Sequence, residues 1–465
     1  MKGWRPGRRA VLIGLAALAP ALGAVPGRAQ QQPAPPPRRP SPAEAAGPPP
    51  VVFVHGNGDS SALWINNFWR FEANGYRRNQ LFAVDFTNPS ARVDDARPQP
   101  NRSSTEEQMK ELAAFVAQVR AATRRRKVAL IASSRGGNTV RNYLKNGGGD
   151  DSVSHAVLCG TPNKGIVISE TLLPGSEFNG AAPFLRALNS GTDDLVPGVE
   201  LMAIRSDRND KFSQPDARFV GGPGKPSGVG HDASELRGAR NVVLEGLDHR
   251  EVAFHKLAFA AQYEFITGKP PATLFIAQEP LPTLNGRVTG MAEGGLYTNL
   301  PVSGAEVEIY ETDAKTGERR STVPVHRKTT AADGQWGPFV ARSDALYEFV
   351  LRMEGQPTTH TYRSPFLRSS DVVHLRPQPL AKGDEAGAIV IMSRPRGYFG
   401  VGRDKFTLDG KVPPGINDGV PGVSVGRLVF DTSPRTVMAV FNNETIPVRT
   451  WPAKDNHIVV AEFMN

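Results

Sequence analysis

Residues 128–137 read VALIASSRGG: a wholly apolar run that stops at two serines and a glycine pair. The next stretch, GNTVRNYLKN (137–146), has helical spacing. The segment therefore predicts a buried strand, a tight turn and a helix, in that order. Similar apolar runs occur on both sides: PVVFVHG (50–56), NQLFAVDF (79–86), SHAVLCGT (154–161), GVELMAIRS (198–206) and NVVLEGL (241–247). Helical patterns separate them. SSTEEQMKELAAFVAQVRAATRRR (103–126) puts Met109, Leu112, Phe115, Val116 and Val119 on one face, with a capping box available in Ser104 and Glu107. VAFHKLAFAAQYEFITG (252–268) reads as one further helix. Short apolar strands alternating with helices predict an α/β domain, a parallel sheet covered on both faces.

The two serines are not equivalent. A strand-to-helix turn that presents a nucleophile has the pattern small-x-Ser-x-Gly, because backbone crowds the two small positions. Centring it on Ser134 places Ala132 and Gly136 there; centring it on Ser133 would place Ile131 and Arg135. Ser134 is thus the candidate nucleophile. A serine hydroxyl needs a base. His249, just past the run 241–247, is the candidate. His231 lies in a Gly/Pro-rich loop before that run and is a weaker competitor, and His255 falls inside the following helix. The imidazole needs an orienting carboxylate, expected in the loop RSDRNDKFSQPD (205–216). Asp207 and Asp210 both qualify. Asp210 is favoured because it lies farther past the strand, and Asp207 is the alternative acid, suited to holding backbone amides. The oxyanion would be held by the backbone N–H of Arg135 and that of Asn57, in the HGNG turn (55–58) that ends the first strand. A phosphate loop does not fit HGNG, since no Gly-Lys-[Ser/Thr] follows. No metal-ligand spacing is visible, and no cofactor or metal is expected.

The ends of the chain set the context. Residues 1–29 combine a basic start, an apolar run of roughly a dozen residues and a small-residue cleavage site, which predicts an export signal too short to span a bilayer. Arg8-Arg9 gives it a twin-arginine character. Its removal takes away Lys2, Arg5, Arg8, Arg9 and Arg28, so much of the formal charge of +9 belongs to the signal and argues against nucleic acid as a partner. The expected location is periplasmic or extracellular. Cys159 is the single cysteine, so no intrachain disulfide forms; it reads as a buried strand residue. Residues 30–49 are a Pro-rich linker. The catalytic α/β domain is expected over 50–268, with a linker at 269–283. Beyond it the helical pattern ends and strand-like runs alternate with Gly, Asp and Pro turns. This predicts an all-β sandwich or barrel in two units, 284–380 and 381–465. Within the first domain, residues 166–194 carry Leu172, Leu173, Phe178, Phe184, Leu185 and Leu188 in a loop-like stretch, either a lid over the catalytic edge or an ordinary packed loop.

HGNG, ASSRG, the Asp207/Asp210 loop and GLDHREVAFH, in that order, resemble the α/β-hydrolase fold and within it the bacterial lipases and esterases. ARNVVLEGLDH is similar to the strand-plus-histidine segment of small Bacillus-type lipases, which also have Ala at the first elbow position. The β-rich remainder resembles that of two-domain archaeal-type lipases, whose β domain is implicated in lipid binding, and VSGAEVEIYETD with LYEFVLR resembles prealbumin-like sandwiches found beside secreted hydrolases. One feature departs from the archaeal pattern: the stretch where the acid would follow the nucleophile more closely is GTPNKG (160–165), without a carboxylate. The resemblance implies an exported serine carboxylester hydrolase of the lipase/esterase type, with a Ser134–His249–Asp210 triad, an acyl-enzyme, an acyl ester or lipid substrate and a lipid-surface contact through the β region. The alternatives are a polyester depolymerase and a non-catalytic exported binding protein on a hydrolase scaffold.

Overall fold

In a computed structural model of the protein, residues 47–381, 384 and 387–465 are described. The expected export signal and nearly all of the Pro-rich linker lie outside the described residues. Six strands, β1 (Val51–Val54), β2 (Leu81–Ala83), β3 (Val128–Ser133), β4 (Val153–Cys159), β5 (Glu200–Ser206) and β6 (Arg240–Leu244), form one wholly parallel sheet in the order β2-β1-β3-β4-β5-β6. Every residue of β1 and β3 is buried, as both-faced coverage requires. One face packs on helices α1 (Ile65–Ala73) and α4 (Lys256–Thr267); the other packs on α2 (Thr105–Thr123) and α3 (Arg135–Asn146). The strand order reverses between β1 and β3. Loops leaving the carboxyl ends of two such strands diverge to opposite faces and open a crevice there.

Helix α2 starts as its sequence predicts. Ser104 accepts from the Glu107 amide, and the Glu107 carboxylate accepts from the Ser104 amide at 2.7 Å. The helix expected over 252–268 is instead broken. A short turn, Glu251–Phe254, is followed by α4, and His255 between them is extended (φ −71°, ψ 154°) and caps α4 through Nδ1. The carbonyls freed by the break are satisfied by side chains. Arg70 donates to Phe254 O at 2.9 Å, and Asn67 and Gln262 donate to Ala253 O.

The remainder is all-β. A seven-stranded sheet contains β7 (Glu306–Thr312), β8 (His326–Thr329), β9 (Leu346–Arg352), β10 (Thr358–Arg363), β11 (Ala388–Ser393), β13 (Val425–Phe430) and β16 (His457–Glu462), in the order β8-β7-β9-β10-β16-β11-β13. A three-stranded sheet, β12 (Phe406–Leu408), β14 (Thr436–Phe441) and β15 (Glu444–Arg449), shares a core with β11, β13 and β16. The division expected between 284–380 and 381–465 does not appear in this sheet. The C-terminal strand β16 inserts between β10 and β11 and pairs in parallel with both, so one ladder runs through both segments. The expected linker, 269–283, is held against the α/β half. Thr273 exchanges two hydrogen bonds with the Asn74 side chain, and Leu274 and Ile276 pack on the main core. That core is common to the two halves: Val51, Phe53, Trp64 and Trp69 belong to the same apolar cluster as Val307, Trp336, Phe349 and Met464. Trp69 Nε1 donates to Ser369 O at 3.0 Å and Asn66 Nδ2 to Met464 O at 2.8 Å. Among the described residues no helix is long and apolar enough to cross a membrane.

Candidate active site

The crevice at the β1/β3 reversal holds the turn that opened the sequence. Ser134 sits at φ 53° and ψ −123°, a strained conformation for a non-glycine residue, between the end of β3 and the first residue of α3. Its amide donates to Cys159 O at 2.8 Å, which ties the turn to β4. Gly136 has no room for a side chain: a methyl there would stand 2.6 Å from His55 O and 2.7 Å from Val54 O. That contact packs α3 onto the end of β1. Gly56 is similarly close, since a methyl there would lie 3.1 Å from the Ser134 Cβ. The HGNG turn therefore runs directly beside the serine.

His249 Nε2 lies 3.0 Å from Ser134 Oγ, and His249 Nδ1 lies 2.8 Å from Asp210 Oδ2. The Asp210 carboxylate only accepts, so Nδ1 carries the hydrogen and Nε2 is left to accept the serine hydroxyl. Asp210 is buried, and its second oxygen accepts from the Phe212 amide at 2.8 Å. The Phe212 ring meets the imidazole edge-on, with centroids 4.8 Å apart. Asp207 is placed differently. It accepts from Ser206 Oγ at 3.1 Å; burial pushes its carboxyl up, but the nearby backbone amides of Arg208 and Gly246 and the Ser206 hydroxyl outweigh that and hold it below the usual range. His231 bonds Ser213 O and His255 caps α4, so neither meets Ser134. Burial pushes the Cys159 thiol up to about 12, which keeps it protonated.

Of the two expected oxyanion donors, Arg135 directly follows Ser134, and Asn57 follows Gly56, whose backbone runs beside the serine. Arg135 is the first residue of α3, where an amide has no intrahelical acceptor. Asn57 is exposed, and its side chain fixes the turn by accepting from the Ala91 amide at 2.7 Å. His55 supports the same turn from below: it is buried, Nδ1 donates to Gly56 O and Nε2 accepts from the Phe86 amide.

Several further side chains support the site. The Arg135 side chain is buried against Glu177, with contacts of 2.6–2.9 Å, and also donates to Pro89 O and to Ser103. Glu177 lies in the 166–194 segment, which a second buried pair, Arg141–Asp194 at 2.9 Å, also anchors. Leu185 and Leu188 of that segment are buried. The histidine loop has its own capping box: Asp248 Oδ1 accepts from the Glu251 amide at 3.0 Å, and Glu251 Oε2 accepts from the Asp248 amide at 2.9 Å. Two arginines from the β region clamp both carboxylates. Arg403 reaches Asp248 at 3.3 Å and Glu251 at 2.8 Å, and Arg394 pairs with the same two. Tyr398 donates its amide to Asp248 Oδ2 at 2.7 Å. Arg250 joins the histidine loop to the segment after HGNG through Asp59 at 2.9 Å. Among the described residues no cluster of His, Cys, Asp or Glu has metal-site geometry.

Residues 48–163 match the class 2 lipase family, and residues 282–380 match the lipase C-terminal domain. Both matches are to lipase domain models, and each covers a part of the chain. Among solved structures, lipase B of Aspergillus fumigatus is 15% identical with a TM-score of 0.36, over 50% of this chain and 55% of that one. Lipase BlEst2 of Bacillus licheniformis in its mature form is 19% identical with a TM-score of 0.36, over 47% of this chain and 92% of that one. In its propeptide form it is 15% identical with a TM-score of 0.36, over 88% of this chain and 97% of that one.

Proposed function

We propose that the chain is an exported serine carboxylester hydrolase acting on apolar acyl esters. The observation that carries this reading is the relay of 3.0 Å from Ser134 Oγ to His249 Nε2 and 2.8 Å from His249 Nδ1 to Asp210. Ser134 Oγ attacks the ester carbonyl while Nε2 takes its proton. The negative charge on the carbonyl oxygen is met by the Arg135 and Asn57 amides, each such donor being worth roughly 3–4 kcal/mol of barrier. Collapse of the adduct expels the alcohol, which receives the proton from Nε2 and leaves an acyl-serine. Water then attacks the acyl group, again giving a proton to Nε2. The carboxylic acid departs and the proton returns to Ser134 Oγ. Asp210 keeps its charge throughout and stabilises the imidazolium.

Export is inferred from the first 29 residues, and apolar acyl groups from the leucines and phenylalanines of 166–194. The test of the chemistry is Ser134→Ala. Hydrolysis of p-nitrophenyl butyrate should fall to the level of the uncatalysed or weakly assisted reaction, with circular dichroism and thermal unfolding unchanged. Retained activity in a folded Ser134→Ala protein would defeat the assignment.

A further inference from the structure

A cavity of about 310 Å³ lies between the segment that follows HGNG and the β region. It is outside the Ser134 relay. Its charged lining is unbalanced, with Arg250, Arg363, Arg376 and Arg396 against Asp59 and Glu462. Two of the arginines are paired: Arg250 with Asp59 at 2.9 Å and Arg363 with Glu462 at 3.0 Å. The other two meet only neutral acceptors. Arg376 donates to Asn299 Oδ1, Thr289 Oγ1 and the carbonyls of Gly58 and Asp59. Arg396 donates to the carbonyls of Leu63, Phe463 and Met464. Among the described residues, neither has a carboxylate within ion-pair distance.

Leaving two such charges in a protein interior is costly. Arg396 is only 6% exposed, and burial pushes its guanidinium down to about 10, still fully charged at neutral pH. A lysine could shed its proton here; an arginine cannot. Asp59 and Asp85 act on Arg376, and Glu462 and Glu444 on Arg396, only from beyond ion-pair distance, and the cavity leaves room for an anion from solution to meet the two guanidinium groups directly.

We propose that this cavity binds a small oxyanion, a carboxylate or a phosphate, between Arg376 and Arg396. Planar guanidinium forks match both groups. Ile391, Val425 and Val460 line the rest of the cavity, so the anion can carry a short organic group. Arg376 and Arg396 also hold the carbonyls of Gly58, Asp59 and Leu63, which places the anion directly behind the segment that continues the HGNG turn. The proposal does not depend on the role of Ser134.

The test is thermal unfolding of the full chain at constant ionic strength, with chloride replaced stepwise by inorganic phosphate, by butyrate or by glycerol 3-phosphate. A saturable rise in Tm of about 2–4 °C is expected with at least one of them. The arm that responds tells free phosphate from a phosphate headgroup and from a carboxylate. Arg396→Gln should lose the response. Because that variant can fail to fold, Ser393→Glu on the cavity wall supplies a tethered carboxylate instead. It should raise Tm in chloride and abolish the anion response. A Tm that follows chloride, or rises without saturating, in all three arms overturns the proposal, as does a full response in Ser393→Glu.

Discussion

At the scale of single residues, the decisive contrast is between two aspartates three positions apart. Asp210 meets the imidazole, whereas Asp207 is spent on its own loop. Asp210→Asn should lower kcat for ester hydrolysis by about 10⁴-fold through the wrong imidazole tautomer. Asp207→Asn should leave kcat near that of the native protein and cost about 1 kcal/mol of stability; steady-state kinetics and urea unfolding of the two variants separate the roles. Ser134 and His249, which the structure brings together with Asp210, were legible in the sequence because each stands at a fixed place relative to a strand end; the acid was legible only as a loop, with Asp210 favoured over Asp207. The side chain of Arg135 was not. As an elbow residue it is defined by its backbone amide, and nothing local announces that its guanidinium is buried against Glu177, more than forty residues away. Glu177→Gln leaves that guanidinium without a counter-charge and should cost about 3–5 kcal/mol in urea unfolding.

At the scale of elements, the strands and the capping box of α2 were readable because periodicity and caps are local. The break at His255 was not, since periodicity alone runs through it; the carbonyls it frees are satisfied by Arg70 and Asn67 of α1, far away in sequence. The histidine loop lies between these cases. Its Asp248-x-x-Glu251 box is visible as a pattern, but the clamp by Arg394 and Arg403 is not. The acid loop is gripped in the same way: Lys211 donates to Gly422 O at 2.8 Å and lies 4.4 Å from the centre of the Tyr398 ring. Burial pulls the Lys211 ammonium down to about 8, with Arg250 adding to the effect and Asp210 and Asp248 opposing it. The unfolded chain holds that proton to about pH 10.4. Between these values the unfolded state binds more protons, so this residue makes the fold more stable as pH rises from about 8 to about 10.4. Lys211→Met should remove that rise, read as the difference in unfolding free energy between about pH 7.5 and about pH 9.5 in urea titrations.

At the scale of the whole molecule, the sequence shows an α/β half and a β half but not their union. Composition shifts near residue 269, while the apolar cluster that joins Phe53 and Trp69 to Trp336 and Phe349 is a long-range property with no local signature. The strand β16 that sews 358–363 to 388–393 is likewise invisible before folding. The 47–465 body should therefore unfold in a single calorimetric transition, and a chain ending at residue 283 should aggregate on expression because its core is left open. The relay at the centre of the account acts within this body, and covalent labelling tests it most directly. The full chain is treated with a fluorophosphonate, digested and mapped by mass spectrometry. One adduct is predicted, on Ser134, with labelling slowed by orders of magnitude in His249→Ala. An adduct on another residue, or equal labelling of Ser134 without His249, would contradict the account.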